Sequence, residues 1–437
     1  MNHIIPKFIL YRNLPNDGIL SGMNDIFRMA EEKNPDIDLL TGMVLKQINK
    51  LLEISTDYAF DGNLWQNYLA FVLITNENPF SLTSEKIGAK QGSVNSFAKQ
   101  DFELFRKLFH YDFSGIEKLL DINCFSIITN YSAIEKPELM YNKNVSLRVK
   151  ELSAALSKAA NADDFFTAVT EFYKNYGVGM FGLNKAFRIT EGVDKPIVFQ
   201  PINNMEQVVL SDLIGYEEQK RQLVENTKAF VEGRKANNVL LFGDSGTGKS
   251  TSIKAIVNEF YLDGLRMIEI YKHQFKNLSD IIATVKNRNY KFIIYMDDLS
   301  FEEFEIEYKF LKAVIEGGVE TKPENILIYA TSNRRHLIKE TWSDRNDIEV
   351  SEDLHRSDTM EEKMSLVNRF GVTICYLKPG RQEFYDMVEA LARKAGLDIP
   401  RESLDYEANR WEMRHGGISG RTAQQFVNHL LSIDTSI

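Results

Sequence analysis

A glycine-rich segment that follows an apolar run is the feature that most constrains the fold of this 437-residue chain. Residues 239–242 are all apolar and have the composition of a short buried strand, and the pattern GxxxxGK[ST] starts at the next position. From 251 to 260 the apolar residues recur at helical spacing. A strand, a glycine-rich turn and a helix in this order form the context in which such a turn cradles phosphate groups. The sequence therefore predicts a phosphate-binding loop inside an α/β domain.

The loop residues divide between backbone and side-chain roles. Its glycines allow backbone conformations that turn successive N–H groups towards phosphate oxygens, and the start of the following helix adds partial positive charge. Lys249 can reach the β- and γ-phosphates, and the hydroxyl of Ser250 can bind Mg²⁺. We therefore predict an ATP site with Mg²⁺ as cofactor. The loop residues predicted to contact the nucleotide are Gly243, Asp244, Ser245, Gly246, Thr247, Gly248, Lys249, Ser250 and Thr251.

A second apolar run, residues 292–296, ends in two carboxylates. We predict that Asp297 holds Mg²⁺, directly or through water, and that Asp298 orients or deprotonates the attacking water. The side chain of Asp298 is one methylene shorter than that of glutamate, which leaves the rate of hydrolysis open. Glu302 and Glu303 could substitute for it, although a solvated helix face is their alternative role.

A third apolar run, residues 326–330, ends in three polar residues, of which Asn333 is the last. A polar side chain at the end of a strand beside the phosphate loop can hydrogen-bond the attacking water or the γ-phosphate. We assign this role to Asn333. A plain turn residue is the alternative interpretation, because asparagine is frequent in turns.

The periodicity of apolar residues divides the chain into three parts. A mainly helical N-terminal domain is predicted over 1–200, with aromatic side chains at helical spacing that indicate a buried core. The stretch 176–205, which follows the helical segments, is rich in glycine and proline and is interpreted as a linker with one extended piece. Apolar β-rich runs then alternate with helical segments, which predicts a parallel sheet covered on both faces over 205–380. Residues 381–437 are predicted to be helical. The predicted strands are 238–242, 266–270, 292–296, 326–330 and 372–377.

Net charge and cysteine content make some classes of protein less favoured than others. Fifty-two lysines and arginines stand against 62 aspartates and glutamates, a formal net charge of −10. This balance disfavours coating of nucleic acid through the whole surface and leaves a local basic patch open. Cys124 and Cys375 are far apart and form no metal motif, which favours a reducing compartment. With neither a signal-peptide pattern nor a long apolar run, we expect a cytoplasmic protein without a membrane partner.

The order of these motifs resembles that of the AAA+ ATPase superfamily of P-loop NTPases. Residues 210–216 are similar to the AAA+ segment that packs on adenine, which implies that Ile214 and the backbone of Gly215 lie near the base. Residues 368–371 resemble the box that supplies an arginine finger, which implies that Arg369 completes the site of a neighbouring subunit. Residues 417–421 look like sensor 2, which implies that Arg421 reaches the γ-phosphate from a C-terminal helical lid.

Each arginine also has a physical case and an alternative role. A guanidinium near the equatorial oxygens of the transferring phosphoryl group can contribute ~10³–10⁵ in rate. Arg369 could instead be a surface or salt-bridged residue, and Arg421 a surface residue at a helix start. Arg334 and Arg335 could contact phosphate, a neighbouring subunit or an acidic partner.

A narrower resemblance covers about residues 205–430. It is to an uncharacterised bacterial AAA+ family known as domain of unknown function 815, in which the paired aspartates are usual. That family has no settled biological role. The stretches that carry the resemblance are SDLIGYEEQK, NNVLLFGDSGTGKS, GLRMIEI, MDDLSFEE, YATSNRRHLI and SGRTAQQF.

Two functions of different classes remain open. In the first, hydrolysis of ATP with Mg²⁺ drives remodelling or loading of an unidentified partner, and the chain works as a homo-oligomer with a trans arginine. A protein partner would then be recruited through the N-terminal region. In the second, the chain is an ATP-dependent switch or scaffold with slow turnover, and the N-terminal region is a sensor or effector. A small-molecule kinase would leave Arg369 and the predicted lid unexplained.

Overall fold

The computed structural model describes residues 4–15, 18–136, 141–192, 197–203, 205–301, 307–316, 323–333 and 366–433. The chain divides into two compact units, Met1–Asn184 and Lys185–Ile437. Among the described residues, no helix is long and apolar enough to cross a membrane.

The first unit is helical, as the periodicity of its apolar residues predicted. Helix α2 buries Val44, Ile48 and Leu51. Its helices in the described residues are α1 Ile19–Ala30, α2 Ile37–Tyr58, α3 Leu64–Thr75, α4 Pro79–Ile87, α5 Val94–Phe109, α6 Ser114–Leu120, α7 Cys124–Thr129, α8 Lys143–Ser157, α9 Ala162–Tyr176 and α10 Gly179–Leu183.

Aromatic side chains fill the centre of this unit. Phe102 of α5 lies 5.7 Å from Phe165 of α9, measured between ring centroids, and both rings are fully buried. The hydroxyls of Tyr11 and Tyr173 are 2.7 Å apart, and Tyr173 also donates to the carbonyl oxygen of Leu73 at 2.7 Å. The two buried hydroxyls are therefore hydrogen-bonded, which removes most of the cost of burying them. The interpretation of these aromatics as core is confirmed.

One buried carboxylate holds the N-terminal segment against this core. Asp101 on α5 is 0% exposed. Its side chain accepts hydrogen bonds from the backbone N–H groups of Ile9, Leu10 and Tyr11, at 3.0, 2.8 and 3.2 Å. A carboxylate can accept about four such bonds, so one side chain satisfies three consecutive donors.

The second unit is built on a seven-stranded sheet within the described residues, in the order β2-β1-β4-β5-β6-β3-β7. All neighbouring strands are parallel except β2, which is antiparallel to β1. The five predicted strands are confirmed with ends that differ by one or two residues. The strands are β1 Ala186–Thr190, β2 Val198–Pro201, β3 Val239–Gly243, β4 Leu265–Glu269, β5 Lys291–Met296, β6 Ile326–Ser332 and β7 Val372–Tyr376.

The linker interpretation of 176–205 was wrong, and so was the boundary at residue 200. Strand β1 pairs with β4, with Ala186 opposite Met267, so the sheet unit begins at residue 185. The antiparallel β2 also makes the sheet mixed rather than wholly parallel. Both strands are short, and Gly192 and Pro196 between them read as loop. Strand β1 pairs with a strand some 80 residues later in the chain and β2 pairs with β1, and local spacing does not reveal either pairing.

Helices cover the sheet and complete the chain. The last three pack on one another around Phe384, Leu404 and Phe426, which are all buried, so the predicted helical C-terminal part is confirmed as a small core of its own. The helices of this unit in the described residues are α11 Glu217–Val231, α12 Lys249–Phe260, α13 Leu278–Val285, α14 Glu307–Glu316, α15 Arg381–Lys394, α16 Arg401–Arg414 and α17 Gly420–Ile433.

The role of Asp101 is testable in the full chain. Asp101→Ala leaves three backbone N–H groups without their acceptor, and each buried unsatisfied donor costs about 1–3 kcal/mol. We expect much faster hydrogen exchange at residues 9–11 and a lower unfolding temperature of the first unit. Asp101→Asn keeps one acceptor oxygen and should lose less. Unchanged exchange at residues 9–11 in Asp101→Ala would contradict this account.

Candidate functional site

The carboxyl ends of three neighbouring parallel strands meet at one edge of the sheet. Strand β3 lies between β6 and β7, and β5 pairs with the other side of β6. The glycine-rich loop follows β3, Asp297 and Asp298 follow β5, and Asn333 follows β6. In open α/β sheets this edge is where ligands bind. The sheet topology therefore brings together the three motifs that the sequence singled out.

The first position of the loop requires glycine for two reasons, the close approach of strand β7 and its own backbone conformation. Gly243 has a φ of +130°, and a Cβ at this position would lie 2.0 Å from the carbonyl oxygen of Tyr376 on β7. That carbonyl also accepts a hydrogen bond from the N–H of Asp244 at 2.9 Å. The start of the loop is therefore held against the edge strand by a contact that only glycine permits.

Lys249 is the first residue of α12, and its side chain reaches back to the loop. Its ammonium donates to the carbonyl oxygens of Gly243, at 3.0 Å, and Asp244, and to Oδ1 of Asn333 at 3.1 Å. Burial lowers the pKa of this lysine, while the carboxylates of Asp244, Asp298 and Asp297 act in the opposite direction. The ammonium is held by neutral oxygens that phosphate oxygens can replace.

Asp297 lies within a set of hydroxyl groups. Its Oδ1 accepts hydrogen bonds from Ser250 at 2.7 Å, from Tyr295 at 2.7 Å and from Thr331 at 2.6 Å. Burial by itself would raise the pKa of Asp297, but the hydroxyl donors outweigh it and hold the pKa below its usual value. The same burial and the neighbouring carboxylate raise the pKa of Tyr295. At neutral pH the carboxylate is therefore ionised and the phenol is a donor.

The donor set at this point fits Mg²⁺. Mg²⁺ prefers oxygen ligands and is usually held by one or two carboxylates together with phosphate oxygens and water. Ser250 and Asp297, the two predicted metal ligands, are adjacent, and both line the same cavity. The part of the chain that the structure describes contains no group of three or more His, Cys, Asp or Glu side chains that could hold a metal alone. The site therefore suits an ion that arrives with a nucleotide.

Asp298 and Asn333 are in direct contact. The side-chain N–H of Asn333 donates to Oδ1 of Asp298 at 2.8 Å, while its Oδ1 accepts from Lys249. The backbone of Asp298 has a φ of +50°, and its N–H donates to the hydroxyl of Thr331 at 2.9 Å. A non-glycine residue in the left-handed region is costly and is often found at functional sites. The backbone thus turns sharply where the second carboxylate enters the cavity.

The C-terminal helices touch the loop directly. The N–H of Arg421, at the start of α17, donates to the carbonyl oxygen of Gly246 at 3.1 Å. A Cβ on Gly246 would lie 3.0 Å from Oγ of Ser419 and 3.2 Å from Cβ of Arg421. The middle glycine of the loop therefore packs against the turn that carries Arg421.

A cavity of about 960 Å³ joins these elements. Its polar lining includes the loop, Asp297, Asp298, Asn333 and Arg421. Asp212 and Lys394, which form an ion pair, also line it. Its apolar lining residues include Val208, Leu213, Ile214, Tyr216, Met387 and Leu391.

Most of the predicted site residues line this cavity. Gly215, Gly243 and Asp244 are not among the lining residues that the structure describes, and Asp244 instead accepts the backbone N–H of Lys378 at 2.8 Å. Arg369 does not line the cavity of its own chain within the described residues and lies just before β7. The predicted roles of four further residues cannot be compared with the structure, because these residues lie outside the described ranges: Glu302, Glu303, Arg334 and Arg335.

Two contributors were missed from the sequence, Tyr295 and Thr331. Tyr295 is two residues before Asp297, and alternate residues of a strand share a face, so its proximity could have been read from the spacing. Thr331 stands two residues before Asn333, in the same polar strand end. Their hydroxyls converge on Asp297 only because β5 and β6 are neighbours.

Residues 183–433 match the model of a family described as protein of unknown function, DUF815. The chain belongs to this family. The match covers more than half of the chain and begins within two residues of the second unit, so it confirms the narrower resemblance predicted from the motifs. It leaves the helical first unit almost entirely outside.

Curated relatives match over a short region. The replication factor C large subunit of Aeropyrum pernix is 36% identical over 74 residues, and that of Methanococcus vannielii is 32% identical over 75 residues. These regions are 16% and 17% of this chain, and the chain spans about 15% of the length of each relative.

Solved structures match about half of this chain. Thermotoga maritima RuvB, a Holliday junction branch migration motor, is 15% identical, with a TM-score of 0.35 over 51% of this chain and 64% of that one. The AAA domain of FIGL-1, in complex with ADP, is 17% identical, with a TM-score of 0.36 over 52% of this chain and 75% of that one. Both TM-scores are below 0.5, so these likenesses carry no argument. The P-loop NTPase fold is supported by the strand order and by the phosphate loop of this chain.

The contact between Gly243 and β7 predicts that alanine destabilises the protein more at Gly243 than at another glycine with a positive φ. Gly243→Ala places a methyl group on a backbone carbonyl, and overpacking of this kind costs about 1–3 kcal/mol in addition to backbone strain. Gly264→Ala is a matched control, because Gly264 has a φ of +90° and no atom within 4 Å of its ideal Cβ.

We expect calorimetry to show a clearly lower unfolding temperature for Gly243→Ala than for Gly264→Ala, and nucleotide binding to be lost only in the former. Equal unfolding temperatures would mean that strain, and not the neighbouring strand, sets the requirement for glycine.

Proposed function

We propose that this chain is an AAA+ ATPase that binds ATP with Mg²⁺ and hydrolyses it. The observation that carries the proposal is the arrangement around one cavity of Lys249, the Ser250–Asp297 pair and the Asp298–Asn333 pair. Lys249 and the loop backbone suit the phosphates, and the oxygens of Ser250 and Asp297 suit the metal that accompanies them.

Hydrolysis requires a group that orients or deprotonates water beside the γ-phosphate. Asp298 lies next to Asn333, and Asn333 contacts Lys249, so the carboxylate and amide stand on the side of the cavity where the terminal phosphate would end. Arg421 lines the same cavity from the lid and can contribute positive charge there. A guanidinium so placed stabilises the charge that spreads over the transferring phosphoryl group.

We propose further that the active form is a homo-oligomer in which Arg369 acts in trans. Arg369 lies just before β7, the last strand of the sheet order on the side of β3, and it does not line the described cavity of its own chain. An edge position beside the phosphate loop is where a side chain can reach a neighbouring subunit. The resemblance of residues 368–371 to an arginine-finger box supports the same assignment.

The work of the ATPase is proposed to be remodelling or loading of a protein partner recruited by the first unit. That unit has its own aromatic core and lies almost entirely outside the region matched by the family model. RuvB is described as a Holliday junction branch migration motor, and the curated relatives are replication factor C large subunits; these properties belong to those proteins.

A slow switch is the second candidate, and one observation favours it. The carboxylate of Asp298 is engaged by the amide of Asn333 at 2.8 Å, and its arm is short. A water-activating group held in this way would act slowly unless binding of ATP releases it. In that case nucleotide occupancy, rather than turnover, would transmit the signal.

Binding and turnover separate these candidates. Lys249→Ala should abolish ATP binding measured by calorimetry, because the loop loses its phosphate-binding cation. Asp298→Asn should keep wild-type affinity and reduce the steady-state rate of hydrolysis by about 10²-fold, the range of a lost general base. A wild type that hydrolyses ATP no faster than Asp298→Asn would overturn the ATPase machine and leave the switch.

The trans assignment of Arg369 is tested by mixing subunits. Arg369→Ala and Lys249→Ala should each be inactive alone, since one lacks the arginine and the other lacks the nucleotide. In a mixture, a Lys249→Ala subunit can supply Arg369 to a neighbour whose own cavity is intact. We expect the mixture to regain part of the wild-type rate. A mixture as inactive as its components would show that the arginine serves its own chain.

A further inference from the structure

Three hydroxyl groups converge on a single oxygen of Asp297. The donors are Ser250 at 2.7 Å, Tyr295 at 2.7 Å and Thr331 at 2.6 Å, and all three bond to Oδ1. Among the described residues, no side chain donates to Oδ2 of this carboxylate within hydrogen-bond distance. The three hydroxyl donors of this carboxylate therefore all lie at one of its two oxygens.

The three donors differ in how firmly they are held. Tyr295 belongs to β5 and is 1% exposed, and Thr331 belongs to β6 and is 2% exposed. The two strands are paired up to Met296 opposite Ala330, and extending this register by one residue puts Asp297 opposite Thr331. Ser250 lies in the first turn of α12 and is only partly buried. Two donors are thus fixed by the sheet, and the third stands at the cavity.

The number of hydrogen bonds that one carboxylate oxygen can accept distinguishes these donors. Each oxygen has about two lone-pair sites, so three donors exceed what Oδ1 accepts with good geometry. Ser250 is the donor that can leave, because its hydroxyl is also the predicted metal ligand. Tyr295 and Thr331 then match the two lone pairs of Oδ1, and Oδ2 remains for the metal.

We propose that Tyr295 and Thr331 are positioning residues that orient Asp297 for Mg²⁺ by holding Oδ1 and leaving Oδ2 for the ion. This inference rests on the proposed function, because it concerns the ion that accompanies ATP. Groups that hydrogen-bond a metal ligand orient it, and their loss reduces metal affinity by about 10–100-fold. Thr331 is among the residues that line the cavity, and the proposal assigns neither residue a contact with the nucleotide.

Thr331 has a second task at the same place. Its hydroxyl donates to Asp297 and accepts from the backbone N–H of Asp298 at 2.9 Å. One hydroxyl therefore sets both the metal ligand and the sharp turn that presents the next carboxylate. Tyr295 makes the first of these contacts only, so the two residues are expected to differ when hydrolysis is measured.

The experiment measures nucleotide affinity in the full chain and does not depend on catalysis. A non-hydrolysable ATP analogue is titrated by calorimetry in EDTA and at stepwise concentrations of free Mg²⁺. We expect Tyr295→Phe and Thr331→Val each to raise the Mg²⁺ concentration needed for half-maximal tightening by about tenfold. Affinity in EDTA should equal that of the wild type, because the phosphate loop is untouched.

Two variants serve as matched controls. Thr331→Ser keeps the hydroxyl and should restore a midpoint close to that of the wild type. Tyr329→Phe removes another buried tyrosine hydroxyl from β6, one that contacts Thr227 and Asn226 instead of Asp297. It should leave the Mg²⁺ midpoint unchanged, which separates positioning of Asp297 from a general loss of buried hydrogen bonds.

The outcomes separate this inference from the proposed function. A wild-type Mg²⁺ midpoint in both Tyr295→Phe and Thr331→Val overturns the positioning role while the ATP site stands. Equal weakening in EDTA and in Mg²⁺ overturns it too, because the residues would then support the fold and not the ion. A wild type that binds no analogue under either condition refutes the proposed function, and the inference falls with it.

In the ATPase assay the same variants give a second readout. Excess Mg²⁺ should restore hydrolysis in Tyr295→Phe, because its hydroxyl acts by donating to Asp297. Thr331→Val should stay slower than Tyr295→Phe at saturating Mg²⁺, because the turn at Asp298 has lost its acceptor. Equal rates of the two variants at saturating Mg²⁺ would remove the second task from Thr331.

Discussion

The parallel pairing of β3 with β6 and β7 is the constraint on which the rest of the second unit depends. Together with the pairing of β6 with β5, it brings the carboxyl ends of the strands to one edge, so that the phosphate loop, the acidic pair and Asn333 meet although they are separated in the chain. It also puts the carbonyl of Tyr376 against Gly243, where it accepts the N–H of Asp244. The loop is thereby anchored before any ligand binds.

Charged groups in the cavity are held mainly by neutral partners. Carbonyl oxygens and an amide surround the ammonium of Lys249, and hydroxyls surround the carboxylate of Asp297. Such partners orient a charge without cancelling it, which leaves it available to a nucleotide and its metal. The lid joins this arrangement through the backbone bond from Arg421 to Gly246. Its position is thus linked to the loop that would bind phosphate.

Much of the candidate site was predictable because its chemistry is local. The pattern from 243 to 250 contains the glycines, lysine and serine of one phosphate site, and an apolar run before Asp297 identifies a strand end. The strands β1 and β2 were not predictable in the same way, since their stability comes from pairing with β4 and with each other. The roles assigned to the site residues, from the phosphate loop to Asp297, Asp298, Asn333, Arg369 and Arg421, remain predictions.

The sequence by itself determined that this chain has a phosphate loop, two carboxylates at the end of a strand, and helical segments on both sides of an α/β core. Spacing and residue type suffice for these features, because each depends on neighbours within about ten residues. The tertiary structure alone decided that the sheet begins at residue 186 and that Tyr295 and Thr331 share one oxygen of Asp297. The pairing of β1 and the contact from Thr331 to Asp297 join different strands, whose pairing is set by packing of the whole sheet, and no local pattern contains that information.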